Sequence, residues 1–164
     1  MVNSVIALEA LHDVLAFDCG IPALTAWLQT MARQHQKKSI SRTYVLVDDA
    51  QPRRILGYYA LAIRSMTPSG DLPAAMAKRL PREVPGITLA RLAVGLAEQG
   101  KGHGEMLLVD AMKRVRSVVA EVGGYAVFVD AKDGDGAAFY HKYGFIPFES
   151  DPLILFMPIA SIPV

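Results

Sequence analysis

Ile87-Thr88-Leu89-Ala90-Arg91-Leu92-Ala93-Val94, then Gly95-Leu96-Ala97-Glu98, then Gln99-Gly100-Lys101-Gly102-His103-Gly104 is the run on which the fold turns. Its order is an apolar strand, a short polar turn and a glycine-rich loop. A helical pattern follows, with apolar residues at Leu108, Ala111, Met112, Val115, Val118, Val119 and Val122. That spacing of three and four buries one face of a helix. Asp110, Lys113, Arg114, Ser117 and Glu121 fall on the other side. Glycines at 100, 102 and 104, feeding a helix start, let backbone N–H groups crowd an anion where the helix dipole also favours negative charge. The expected ligand is a pyrophosphate, bound by Gln99, Gly100, Lys101, Gly102, His103 and Gly104. A Walker A loop is excluded because Gly102, not Ser or Thr, follows Lys101; a dinucleotide fingerprint is excluded because Glu105 stands where its third glycine belongs.

The 164 residues are enough for one domain, 1–164, with a sizeable core. A composition of 52% hydrophobic and 20% charged residues is globular and not disordered. No apolar run approaches the roughly 20 residues of a membrane span, and the start carries Glu9 and Asp13 instead of a basic leader, so a cytoplasmic protein is expected. Cys19 is the only cysteine, which excludes an internal disulfide and a thiolate metal cluster; without a partner histidine it is expected to be an inert thiol. A net charge of +1 argues neither for nor against nucleic acid. No histidine has the spacing and acidic company of a metal site. His12 and His35 are expected at the surface or a helix end, and His103 with its side chain outward.

Along the chain, residues 5–8 read as a first strand, and Pro22 opens a helix with Leu24, Trp27, Leu28, Met31 and Ala32 on one face. Past that helix, Arg33, Lys37, Lys38 and Arg42 form a cationic stretch without an acid. Strands are expected over 43–47 and 55–66, joined by the turn Asp48-Asp49-Ala50-Gln51-Pro52. The proline-punctuated connection 68–85 holds a possible short helix at 74–80 and a second cationic group, Lys78, Arg79 and Arg82. Further strands are expected at 125–129, from Phe145, and at 153–157. Gly134-Asp135-Gly136 is expected to loosen the chain before a helix over 137–143 capped by Gly144. The element order predicts an α/β (α+β) domain, a central mixed β-sheet flanked by helices.

In Phe139-Tyr140-His141-Lys142-Tyr143-Gly144-Phe145, Phe139 and Tyr143 share a helix face, expected to be the buried one, and Tyr140 lies about 100° round from it. From residues alone, Tyr140 is either a half-buried aromatic with its hydroxyl satisfied locally or a chemical group.

Gln99-x-x-Gly102-x-Gly104, followed downstream by Phe139-Tyr140-x-x-x-Gly144-Phe145, resembles the GNAT acetyltransferases. The likeness extends to Phe17-Asp18-Cys19-Gly20, Gly57-Tyr58-Tyr59-Ala60-Leu61, Leu89-Ala90-Arg91-Leu92-Ala93-Val94 and Val129-Asp130-Ala131, which look like the GNAT toxins of type II toxin–antitoxin pairs. It covers the chain from about Phe17 to Pro158. The resemblance implies a single-domain GNAT fold and acetyl-coenzyme A as co-substrate, with no metal. Its diphosphate would lie on the loop and its pantetheine beside the backbone of Leu92, Ala93 and Val94. It implies Tyr140 as the acid that protonates the departing thiolate, aminoacyl-tRNA as acceptor, a ribbon-helix-helix antitoxin as partner, and a homodimer.

An α-amine with a pKa of about 7.7 or somewhat lower keeps a substantial neutral fraction beside its ammonium form at about pH 7, so no strong base is required. Backbone N–H groups at the end of the 89–94 strand would stabilise the developing oxyanion, and a phenol with an ordinary pKa of about 10 is a suitable acid for sulfur. For the RNA, the expected contacts are Arg33, Lys37, Lys38, Arg42, Lys78, Arg79 and Arg82, whose plainer alternative is a solvated surface. Arg91, the one cation in its apolar strand, either pairs with a buried acid or turns to the acceptor side, and is counted with the RNA contacts on the second reading. Two other functions fit the same fold: acetylation of a small amine or protein N-terminus, and a non-catalytic acyl-coenzyme A-binding module.

Overall fold

The computed structural model describes residues 2–163. In chain order, β1 (Asn3–Ala7), α1 (Pro22–Thr30), α2 (Ala32–Lys37), β2 (Arg42–Asp48), β3 (Gly57–Pro68), α3 (Ala74–Ala77), β4 (Glu83–Val94), α4 (His103–Val122), β5 (Ala126–Asp130), α5 (Gly134–Lys142), β6 (Ile146–Pro147) and β7 (Ile154–Pro158) make up the chain. The seven strands form one sheet in the order β1-β2-β3-β4-β5-β7-β6. The pair β4–β5 is parallel and joined by α4, which is the long crossover that parallel strands need; β1–β2, β2–β3, β5–β7 and β6–β7 are antiparallel. The mixed sheet with flanking helices is the architecture expected from the element order.

The chain divides into two compact units, Met1–Ala62 with Ala90–Ala111, and Ile63–Leu89 with Met112–Val164. In the first, β1 and β2 pair from Asn3↔Asp48 to Ala7↔Tyr44, and β2 and β3 from Arg42↔Leu61 to Leu46↔Gly57. Its core gathers Trp27, Leu28 and Ala32 from the two helices with Val45, Val47, Tyr58, Ala60 and Ala93 from the strands. Trp27 stacks on Tyr58 at 6.1 Å, and the Tyr58 hydroxyl donates to Leu24 O at 2.6 Å, so a large aromatic is buried without an orphaned polar end. The expected single helix breaks at Met31, which is 37% exposed, and the cationic stretch begins inside α2.

In the second unit the core is Leu72, Val84, Ala126, Phe128, Phe148 and Phe156, with Met76 and Leu80 against it. Gly86 is required there: a Cβ would meet Phe128 and lie 2.6 Å from Ala126 O. The parallel register runs from Gly86↔Ala126 to Leu89↔Val129 and ends, while β4 continues to Val94.

Three sequence expectations are corrected. Val118 and Val122 are exposed at 45% and 77%, whereas Leu107, outside the expected stripe, is fully buried. Asp110, placed on the solvent side, accepts a 2.6 Å hydrogen bond from the fully buried Tyr59. The segment at Gly134 is not a loosened approach. Asp133 Oδ1 accepts from Gly136 N at 2.9 Å, an N-cap that starts α5 at Gly134.

Candidate active site

The glycine-rich loop is braced from beneath by its own side chains. The Glu98 carboxylate takes Arg54 Nη2 at 3.0 Å, Lys101 Nζ at 3.1 Å and His103 Nε2 at 3.4 Å. The hydrogen bond from Lys101, then that from Arg54, holds Glu98 below the usual carboxylate range against the opposing effect of burial. Gln99 Nε2 donates to Cys19 O at 3.2 Å and to Val94 O at 3.1 Å, tying the loop to the strand it leaves and to the turn before α1. Gly100 and Gly102 have φ of 79° and 81°, left-handed backbone that favours glycine, and the space where a Cβ would stand is open at both. Among the described residues, the N–H groups of Gln99, Gly100, Lys101 and Gly102 donate to no backbone acceptor. Covered Glu98 and His103 side chains, uncommitted amides and open space at the glycines suit an anion at the start of α4. His103, expected to point outward, is only 9% exposed and faces Glu98.

Leu92 and Val94 are half-buried and Ala93 is buried. These three lie beyond the last parallel rung, where β4 has outrun β5 and an extended ligand can pair with its edge. Gly57 lets the strands close up there, since a Cβ would lie 2.9 Å from both Ala93 O and Leu107 Cδ1.

Tyr140 lies in the other unit, on α5. The expected burial is reversed: Tyr140 is buried at 9% exposure, while Phe139 and Tyr143 are half-buried. Its ring is flanked by Phe139 at 5.2 Å and Phe145 at 5.5 Å. Burial pushes the phenol above its ordinary value. Its hydroxyl has no hydrogen-bond partner among the described residues, yet it is not one of the partnerless atoms sealed from solvent, which are Asn3 Oδ1, His12 Nε2 and Thr43 Oγ1. A protonated phenol with a free donor remains.

The expected RNA contacts divide by environment. Lys37, Lys38 and Arg42 are exposed in the first unit, and Lys78, Arg79 and Arg82 in the second. Arg33 has a different job: its Nη2 binds the carbonyls of Glu9 at 3.0 Å, Ala10 at 3.3 Å and His12 at 2.6 Å, closing the loop after β1. Arg91 has no carboxylate partner among the described residues; its guanidinium lies 4.3 Å from the centre of the Trp27 ring, and burial lowers its pKa. His12, expected at the surface, is 3% exposed, with Nδ1 accepting from Glu9 N at 2.9 Å. His35 packs edge-on to Trp27. Cys19 is buried beside Thr25, and among the described residues no three metal-ligating side chains come together.

Sequence reasoning missed Glu98 and Arg54. The three-residue spacing from Glu98 to Lys101 was a legible signal; nothing local linked Arg54 to either.

The mixed sheet, the strand–loop–helix at its centre and the tyrosine helix that follows define the GNAT class of acetyltransferase fold. No family model matches the chain. A curated relative, the tRNA-acetylating toxin of Mycobacterium tuberculosis, is 36% identical over 145 residues, 88% of this chain and 85% of that protein. The structure of AtaT complexed with acetyl-methionyl-tRNAfMet superposes with a TM-score of 0.90 at 34% identity, covering 98% of this chain and 96% of that one. A tyrosine-to-phenylalanine mutant of the AtaT toxin, bound to the C-terminus of the antitoxin AtaR and acetyl-CoA, gives 0.84 at 33% identity, covering 98% and 95%. This chain belongs to the family of tRNA-acetylating toxins.

Proposed function

We propose that this protein transfers the acetyl group of acetyl-coenzyme A to the α-amine of aminoacyl-tRNA, which removes the nucleophile needed for peptide-bond formation. The observation that carries the reading is the braced loop of Gln99–Gly104 with its uncommitted amides, in a chain whose relative is a tRNA-acetylating toxin. The coenzyme supplies an acetyl thioester. Amides of Gln99, Gly100, Lys101, Gly102, His103 and Gly104 hold its diphosphate, with Lys101 adding charge. Leu92, Ala93 and Val94 align its pantetheine along the free edge of β4, and amides at that strand end bind the oxygen that gains negative charge. Tyr140 gives its proton to the leaving sulfur, supported by its buried, protonated phenol and unbonded hydroxyl.

Lys37, Lys38 and Arg42, together with Lys78, Arg79, Arg82 and Arg91, meet the RNA, while Arg33 contributes from its loop-closing position. No described helix is long and apolar enough to cross a membrane, and the proposed acceptor places the reaction in the cytoplasm. By likeness to AtaT, a mutant of which is bound to the antitoxin AtaR, the chain is restrained by an antitoxin. The family resemblance of the sequence further implies an antitoxin of ribbon-helix-helix type, a homodimer and a single domain.

The test is expression of the protein alone. Growth arrest with N-acetylated aminoacyl-tRNA is expected, relieved by Tyr140→Phe. Acetylation of free amines or protein N-termini with charged tRNA untouched would overturn it, as would coenzyme binding with no transfer at all.

A further inference from the structure

One polar rung crosses the second unit. Arg64 of β3 donates through Nη1 to Asp130 Oδ2 at 3.1 Å and through Nη2 to Asp130 Oδ1 at 3.1 Å, a fork-to-fork pair. Arg64 Nη1 also donates to Thr88 Oγ1 of β4 at 3.2 Å, and the guanidinium lies 4.9 Å from the centre of the Phe128 ring. Three neighbouring strands therefore fix one carboxylate. The Arg64 side chain is 17% exposed, whereas that of Asp130 is 57% exposed. Each carboxylate oxygen offers two lone-pair directions, and the fork uses one on each, so acceptor capacity is left on the open side.

The placement of this carboxylate points to a substrate. Asp130 is the last residue of β5 and stands one position past the final parallel rung, Leu89↔Val129. Ligands of open α/β sheets sit beyond the carboxyl ends of the strands. By strand alternation Asp130 shares a face with Phe128, which packs with Leu72, Val84, Met76 and Leu80. That segment is the connection carrying Lys78 and Arg79. A fixed carboxylate on a face that meets a polyanion weakens binding unless it finds a cation there. The aminoacyl end of a charged tRNA carries one, its α-ammonium group. We propose that Asp130, held by Arg64, which Thr88 braces in turn, seats the α-amino group of the acceptor, so that the enzyme recognises a charged tRNA by its amine; this rests on the acetyltransferase reading above.

The test compares two ligands of the full-length protein with coenzyme A present and no acetyl donor. One is an aminoacyl-tRNA; the other is the same tRNA carrying the matching α-hydroxy acid. Wild type is expected to bind the amine form about tenfold more tightly, the size of one hydrogen bond to a charged group. Asp130→Asn keeps the shape and a hydrogen bond to Arg64, and should bring the ratio to about one with coenzyme affinity unchanged. Arg64→Lys keeps the net charge but loses the fork, and should lower the ratio as well. A ratio that stays near ten in Asp130→Asn overturns the seat, as does a wild-type ratio of one in an enzyme that still acetylates charged tRNA. Wild type that acetylates no charged tRNA overturns the function itself.

Discussion

Tyr140 joins two demands that conflict in water: to remain protonated and to donate a proton readily. Its aromatic setting satisfies the first by raising the phenol above about 10. The acetylation rate should therefore rise with pH as the acceptor amine, pKa near ~7.7, loses its proton, with no falling limb from the phenol below pH ~10. A falling limb near pH 8 that disappears in Tyr140→Phe would show a phenol that ionises early. Tyr140→Phe should lower the transfer rate by about 10²–10⁴-fold and leave acetyl-CoA binding intact, read by single-turnover kinetics and titration. His12 gives a second pH effect. Burial lowers its pKa below ~6.5, so the unfolded chain binds the extra proton more readily. Stability is then full above pH ~6.5 and falls as pH drops from there through the lowered folded value, because the folded chain must bury the charged imidazole. Denaturant midpoints across that window should fall in wild type and stay flatter in His12→Gln.

At the scale of elements, the loop and α5 depend on different local devices. Gly102→Ala puts a Cβ on left-handed backbone at a cost of about 1–2 kcal/mol, although the space for it is open. The chain should still fold, but acetyl-CoA should bind about tenfold more weakly as the amides turn from their alignment. Unchanged affinity would mean that the diphosphate lies elsewhere. Asp133→Ala removes the cap from Gly136 N and should destabilise the fold by about 1 kcal/mol, seen as a lower unfolding midpoint. The sequence showed a helix in this region, but its start was misplaced. Two glycines in a row of three read as a break, and the cap depends on where the Asp133 side chain turns, which spacing does not record.

For the whole molecule, the distribution of charge matters more than its sum of +1. Replacing Lys37, Lys38 and Arg42 with glutamate should weaken tRNA acetylation far more than slow hydrolysis of acetyl-CoA. The dependence of log affinity on log salt should flatten by about 2, from three lost phosphate contacts. Equal losses in both reactions would argue against RNA docking by this group. Arg33 was grouped with these residues by sequence proximity, yet its guanidinium closes a backbone loop, so Arg33→Ala is expected to lower stability first.

The sequence by itself determined the strand–loop–helix, the order of the strands and the mixed sheet, because each rests on periodicity or on residues close together in the chain, whereas Tyr140 as the candidate acid came from the family resemblance and not from local pattern. Tertiary structure decided which side chains meet across strands and loops far apart in sequence. Arg54 reaches Glu98 over 44 residues, Arg64 reaches Asp130 over 66, and Tyr140 rather than Phe139 turns into the interior. Such contacts depend on how strands register and which face of a helix docks, and local pattern leaves both open.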